Sequence, residues 1–151
     1  MDCCAPSNNT EEVRTNCPSC NNKGKSVELI TLKSLLKASA LETIVPDTSY
    51  FFCPNPSCST VYFSETHLQI FTEDNMKVPV YQKNPNMDVP VCYCFDWTRE
   101  RLIQAAHDKQ QPADQIKAHI KAGRCGCEVN NPQGACCLGN VTTFIRSFNK
   151  D

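Results

Sequence analysis

Twelve cysteines stand in a chain of 151 residues, and most fall in groups whose spacing suits thiolate ligation of metal. Cys17-x-x-Cys20 is answered by Cys53-x4-Cys58, and Cys92-x-Cys94 by Cys125, Cys127, Cys136 and Cys137. Each set holds at least four thiols, enough for one tetrahedral ion or one binuclear cluster. Cys3 and Cys4 add an adjacent pair of soft donors, suited to Cu(I) or another thiophilic ion. A disulfide framework is the alternative at such cysteine density. Against it stand the lack of an apolar leader and the neighbouring cysteines, which bridge one another poorly. A reduced, cytoplasmic setting is the expectation.

The first set reads as structural zinc. Two ligand pairs on separate turns can surround one ion at Zn–S distances near ~2.3 Å. Cys17, Cys20, Cys53 and Cys58 are the expected ligands, and four thiolates leave no open position for a reactive water. A rubredoxin-type iron is the competing occupant. In the second set, two thiolates one residue apart can grip one iron while a later pair grips the other, which reads as a [2Fe-2S] centre with zinc as the rival.

The elements that must position these thiols divide in two. Residues 1–16 lack apolar periodicity and read as a flexible Cys-Cys tail. A β-rich, zinc-ribbon-like module spans 17–83, with a strand at Val27–Ile30 and a helix over Leu32–Ala38 that Thr31 would cap. Tyr50–Phe52 and Val61–Phe63 read as a hairpin about the second ligand pair, and 67–72 and 78–81 are further candidate strands. Prolines and asparagines at 79–90 mark a boundary. A helical module follows over 91–148. Thr98 is a cap for Arg99–Lys109, Pro112 opens a helix that ends at Gly123, and a third helix starts near Cys137. The expected fold class is α+β, two metal modules in tandem, with a small core that leans on its metals.

Charge excludes several functions. The formal net charge is −1 with 21% charged residues, so no basic field draws in nucleic acid, and Lys23, Lys25, Lys33 and Lys37 read as a solvated face. No apolar run is long enough for a membrane helix. No paired carboxylates, Ser/His/Asp set or phosphate loop appears, so a classical enzyme is not indicated. Phe95 and Trp97, beside the C-x-C, are expected to shield the cluster from water. The three histidines lie outside the clusters, and His107 and His119 read as helix-surface residues.

The stretches CPSC-NNKGK, YFFCPNPSC-STVYF, VCYCF and NPQGACCLGNV together resemble the N-terminal zinc and [2Fe-2S] domain of CopZ-type copper chaperones. Within that, residues 92–141 resemble the bacterioferritin-associated-ferredoxin-like [2Fe-2S] module. The resemblance implies that Cys92, Cys94, Cys125 and Cys137 hold the cluster, with Cys127 and Cys136 as alternatives because an insertion separates the last pair. It also implies a role in copper or heavy-metal homeostasis, as metallochaperone or one-electron reductase component. A separate metallochaperone, metal transporter or redox protein would be the partner. CopZ proteins of this type continue into a copper-carrying domain with an M-x-C-x-x-C loop. That motif does not occur here, so Cys3 and Cys4 become the candidate copper thiols. The competing readings are a docking ferredoxin that binds no copper and a zinc-ribbon adaptor.

Overall fold

The computed structural model describes residues 15–149. Thr15 and Asn16, which the sequence reading assigned to the tail, make backbone contacts with the first module. Asn16 bridges Lys23, and the Gly24 amide donates to the Thr15 carbonyl (2.8 Å). Asn21, in the left-handed region (φ 64°), turns the chain between them, a conformation that asparagine tolerates better than most residues.

Four short strands then form one antiparallel sheet: β1 (Lys25–Val27), β2 (Tyr50–Phe52), β3 (Thr60–Ser64) and β4 (Ile70–Thr72), in that spatial order. The predicted hairpin is present, with Phe51 opposite Phe63 and Phe52 opposite Tyr62. Alternation sends Tyr50, Phe52 and Tyr62 to one face and Phe51 and Phe63 to the other. The first face packs against α1 (Leu29–Leu35) and α2 (Ala38–Leu41), burying Leu32, Leu35, Leu36 and Ala40. The second face covers the sulfurs of Cys17, Cys53 and Cys58. β3 is consequently buried along its whole length.

Two local expectations fail here. β1 ends at Val27, and α1 starts at Leu29 behind Glu28, so Thr31 lies inside the helix instead of capping it. Its buried hydroxyl donates to the Glu128 carbonyl (2.6 Å), a tertiary partner that local pattern cannot reveal. Residues 78–81 form no strand either. They join the segment leading to the second module.

That module carries a two-stranded ribbon, β5 (Pro90–Cys92) with β6 (Trp97–Thr98), then α3 (Arg99–His107), α4 (Pro112–Lys121), α5 (Cys127–Asn130) and α6 (Leu138–Asn149). Thr98 caps α3 as expected, its Oγ1 accepting from the Arg101 amide (3.1 Å). Pro112 opens α4, and Gly123, at φ 75°, follows its end. Leu102, Ile116 and Val141 close a second core around Val91, Cys92, Trp97, Cys127 and Cys137.

The two cores are joined by more than the connecting segment. Residues 128–135, the insertion between later cysteines, lie against the first module. Tyr62 donates its buried hydroxyl to the Pro132 carbonyl (2.5 Å), and Gln82 donates to Gln133 (2.6 Å). A side chain at Gly134 would meet Val27 at 3.1 Å and Thr31 at 3.2 Å.

Candidate metal centres

The first centre is built from two turns. In one, the Cys17 amide donates to the Asn22 carbonyl and the Asn21 amide to the Cys17 carbonyl, each at 2.8 Å. In the other, Cys53 leaves β2 with its amide on the Val61 carbonyl (2.8 Å), and the Cys58 amide closes on the Asn55 carbonyl (3.1 Å). Ser19 and buried Thr60 tie the turns together through their hydroxyls (2.8 Å).

The turns converge four sulfurs. Cys17 and Cys58 lie 3.8 Å apart, Cys20 and Cys53 3.6 Å apart, and all four lie within 4.8 Å of one another. A tetrahedral ion with Zn–S bonds near ~2.3 Å needs S–S separations of about 3.8 Å. Two separations match that spacing and the others lie within 4.8 Å, so the donor set fits zinc.

Protons are shared unequally among these thiols. Burial opposes ionisation of Cys20, yet hydrogen bonds from the Asn22 backbone and the Asn55 side chain bring its pKa down to about 6. Burial pushes Cys53 up to about 12, against the Asn55 amide and the charge of Lys83. Crowded sulfurs of mixed protonation are what a cation would convert to four thiolates.

The second centre draws on β5, α5 and α6. Cys92 ends β5, Cys94 lies in the turn to β6, Cys127 is the first residue of α5, and Cys137 precedes α6. The Cys94 and Cys127 sulfurs lie 3.7 Å apart, and Cys137 hydrogen-bonds with both Cys127 and Cys92. Those four are the thiols brought together. Cys125, expected among them, is instead a half-exposed residue ahead of α5, and Cys136 is exposed. The cause is local. Residues 127–130 form a single helical turn that faces Cys127 inward, with the Asn131 amide on its carbonyl (3.0 Å). Glu128-Val129-Asn130-Asn131, a polar turn after Gly126, was the available signal.

Protons are shared unequally here too. The Gly126 amide donates to the Cys94 Sγ at 3.2 Å, and Asn130 reaches it at 3.6 Å. Hydrogen bonding to Cys137 lowers Cys92, and a separate bond to Cys137, against burial, brings Cys127 down to about 6. Cys137 is driven up by its bonds to Cys127 and Cys92 and by burial, while burial raises Cys94 to about 11. Among the described residues only the first quartet lies wholly within 4.8 Å. The second quartet is more spread.

Phe95 and Trp97 pack in the same core as these thiols. Phe95 stacks on His119 (4.3 Å between centroids), and Trp97 is buried beneath the Arg101 guanidinium at 3.9 Å. Buried Arg99, which pattern reading passed over, donates to the carbonyls of Tyr81 (2.8 Å), Asn84 (2.6 Å) and Asn86 (2.9 Å). It clamps the connecting segment onto the second module. Cys3 and Cys4 lie outside the described residues, and no helix among those described is long and apolar enough to cross a membrane.

Residues 14–77 match the family model of the CopZ-type zinc binding domain. The chain is 33% identical over 122 residues to the copper chaperone CopZ of Archaeoglobus fulgidus, covering 80% of this chain and 57% of that protein. It thus spans little more than half the length of this curated relative. The solved N-terminal domain of Archaeoglobus fulgidus CopZ superposes with a TM-score of 0.69 at 29% identity, over 85% of this chain and 95% of that domain. The α+β fold with its zinc-ribbon-like module is the fold of that domain.

Proposed function

We propose that this protein is a metallochaperone component of copper or heavy-metal handling, in which the zinc site braces a platform for a [2Fe-2S] centre held by Cys92, Cys94, Cys127 and Cys137. The observation that carries the second centre is the convergence of those four thiols, spread more widely than the zinc quartet. A [2Fe-2S] cluster supplies one-electron chemistry when bound.

The chain's own residues set the conditions. The Gly126 amide and the Asn130 side chain donate to the Cys94 sulfur, and such donors raise the reduction potential of a bound cluster. Phe95 and Trp97 limit water around it. Cys94 remains half-exposed, leaving one edge open to an exchange partner. Copper is the proposed cargo, by likeness to a relative that is a copper chaperone, with Cys3 and Cys4 as the soft thiols able to take Cu(I). The open edge also favours a second reading, a docking ferredoxin without copper.

Anaerobic purification with iron, zinc and acid-labile sulfide analysis tests the proposal. The expected result is one zinc with two irons and two sulfides per chain, and an EPR signal on reduction by dithionite. Zinc alone in the anaerobic protein would sink the cluster assignment. Copper titration separates the two readings, because the chaperone binds Cu(I) through Cys3 and Cys4 and the docking ferredoxin does not.

A further inference from the structure

Lys83 is the side chain through which the connecting segment reaches the zinc site. Its Nζ donates to the carbonyls of Asn55 (2.8 Å) and Cys58 (2.9 Å), both in the turn that carries the second ligand pair. The lysine is half-buried, and its backbone is held locally, its amide and that of Asn84 both donating to the Val80 carbonyl (3.0 and 2.8 Å). Arg99 grips the same segment from the other side through Tyr81, Asn84 and Asn86. An ammonium is thus fixed against this turn by backbone on two sides.

Charge gives that placement its meaning. Four thiolates around a divalent ion leave a net charge of about −2, and excess charge in a partly dry site weakens retention of the last ligands. The geometry assigns Lys83 as a positioning residue for the zinc centre. It shapes the Asn55–Cys58 turn and offsets part of the tetrathiolate charge from outside the ligand shell, so that zinc is released more slowly. The assignment rests on the zinc reading and extends it to a residue beyond the ligands.

The test is zinc transfer from the full-length, zinc-loaded protein to an excess of chromophoric chelator, comparing wild type with Lys83→Met and Lys83→Arg. Lys83→Met is expected to release zinc about fivefold to tenfold faster at low salt, with Lys83→Arg within about twofold of wild type. Between about 0.05 M and about 1 M salt the gap between wild type and Lys83→Met should narrow, because the Debye length falls from above 10 Å to ~3 Å. Equal release by Lys83→Met and wild type overturns the assignment. So does a gap that salt leaves unchanged and arginine fails to close, which would mean a packing role. Should Lys83→Met not fold, Lys83→Gln against Lys83→Arg gives the same comparison. A wild-type chain that retains no zinc removes the zinc reading itself, whereas loaded chains that ignore residue 83 remove only this inference.

Discussion

Removing the Tyr62 hydroxyl should loosen both metal modules at once. The ring is buried among core side chains and lies edge-on to Phe52 (6.1 Å, 61°), so Tyr62→Phe keeps its packing and deletes one oxygen. That oxygen donates to Pro132 at 2.5 Å. Burial holds the phenol pKa far above its ordinary value, so it remains a donor at any pH the protein withstands. A neutral bond whose loss strands a buried carbonyl costs about 1–3 kcal/mol. At about 2 kcal/mol, a chain of this length melts roughly 4–8 °C lower. The assay is thermal unfolding of the fully loaded protein followed by circular dichroism, with cluster absorbance read in parallel. Thr31→Val removes the companion bond to Glu128, and because both bonds hold one segment, the double variant should lose less than the sum. A Tyr62→Phe melt within about 1 °C of wild type, with strictly additive losses, would refute the idea that the 128–135 segment couples the two centres.

Three further outcomes follow from the sites. Cys127→Ser should abolish cluster retention and Cys125→Ser preserve it, read as acid-labile sulfide per chain; the reverse would reassign the ligand. Gly24→Ala places a methyl carbon 2.6 Å from the Phe63 ring and 2.9 Å from the Phe51 Cβ, so the stacked pair must shift, at a cost of about 1–3 kcal/mol in denaturant unfolding. Zinc added to the reduced apoprotein near about pH 7 should displace fewer than four protons. Cys20, lowered to about 6, is already ionised there, while Cys53, raised to about 12, still carries its proton. As pH falls through Cys20's pKa that thiol too must be deprotonated by the metal, so proton release rises and affinity falls. Release of all four near neutrality, measured with an indicator dye in weak buffer, would contradict the unequal sharing.

The zinc quartet was legible because each pair sits within one turn and the hairpin between β2 and β3 is written in alternating aromatics. The helices at 99–107 and 112–121 were legible through Thr98, Pro112 and Gly123, whose effects are local. Thr31 was misread for the same reason, since its hydroxyl serves a carbonyl 97 residues away. Cys127 is carried to Cys94 by a four-residue helix too short to show periodicity, so sequence alone left it level with Cys125. Arg99 and Lys83 escaped notice because their partners are backbone carbonyls, and no side-chain pattern records a carbonyl.

The bond from Tyr62 to Pro132 spans 70 residues and that from Thr31 to Glu128 spans 97. During synthesis the amino-terminal half therefore leaves the ribosome with the landing place for those groups not yet made. Its hairpin can capture an ion early, but the surface meant for the insertion stays wet until nearly the last helix has emerged. The thiols brought together in the second centre all lie later in the chain than those of the first, and so are made after them.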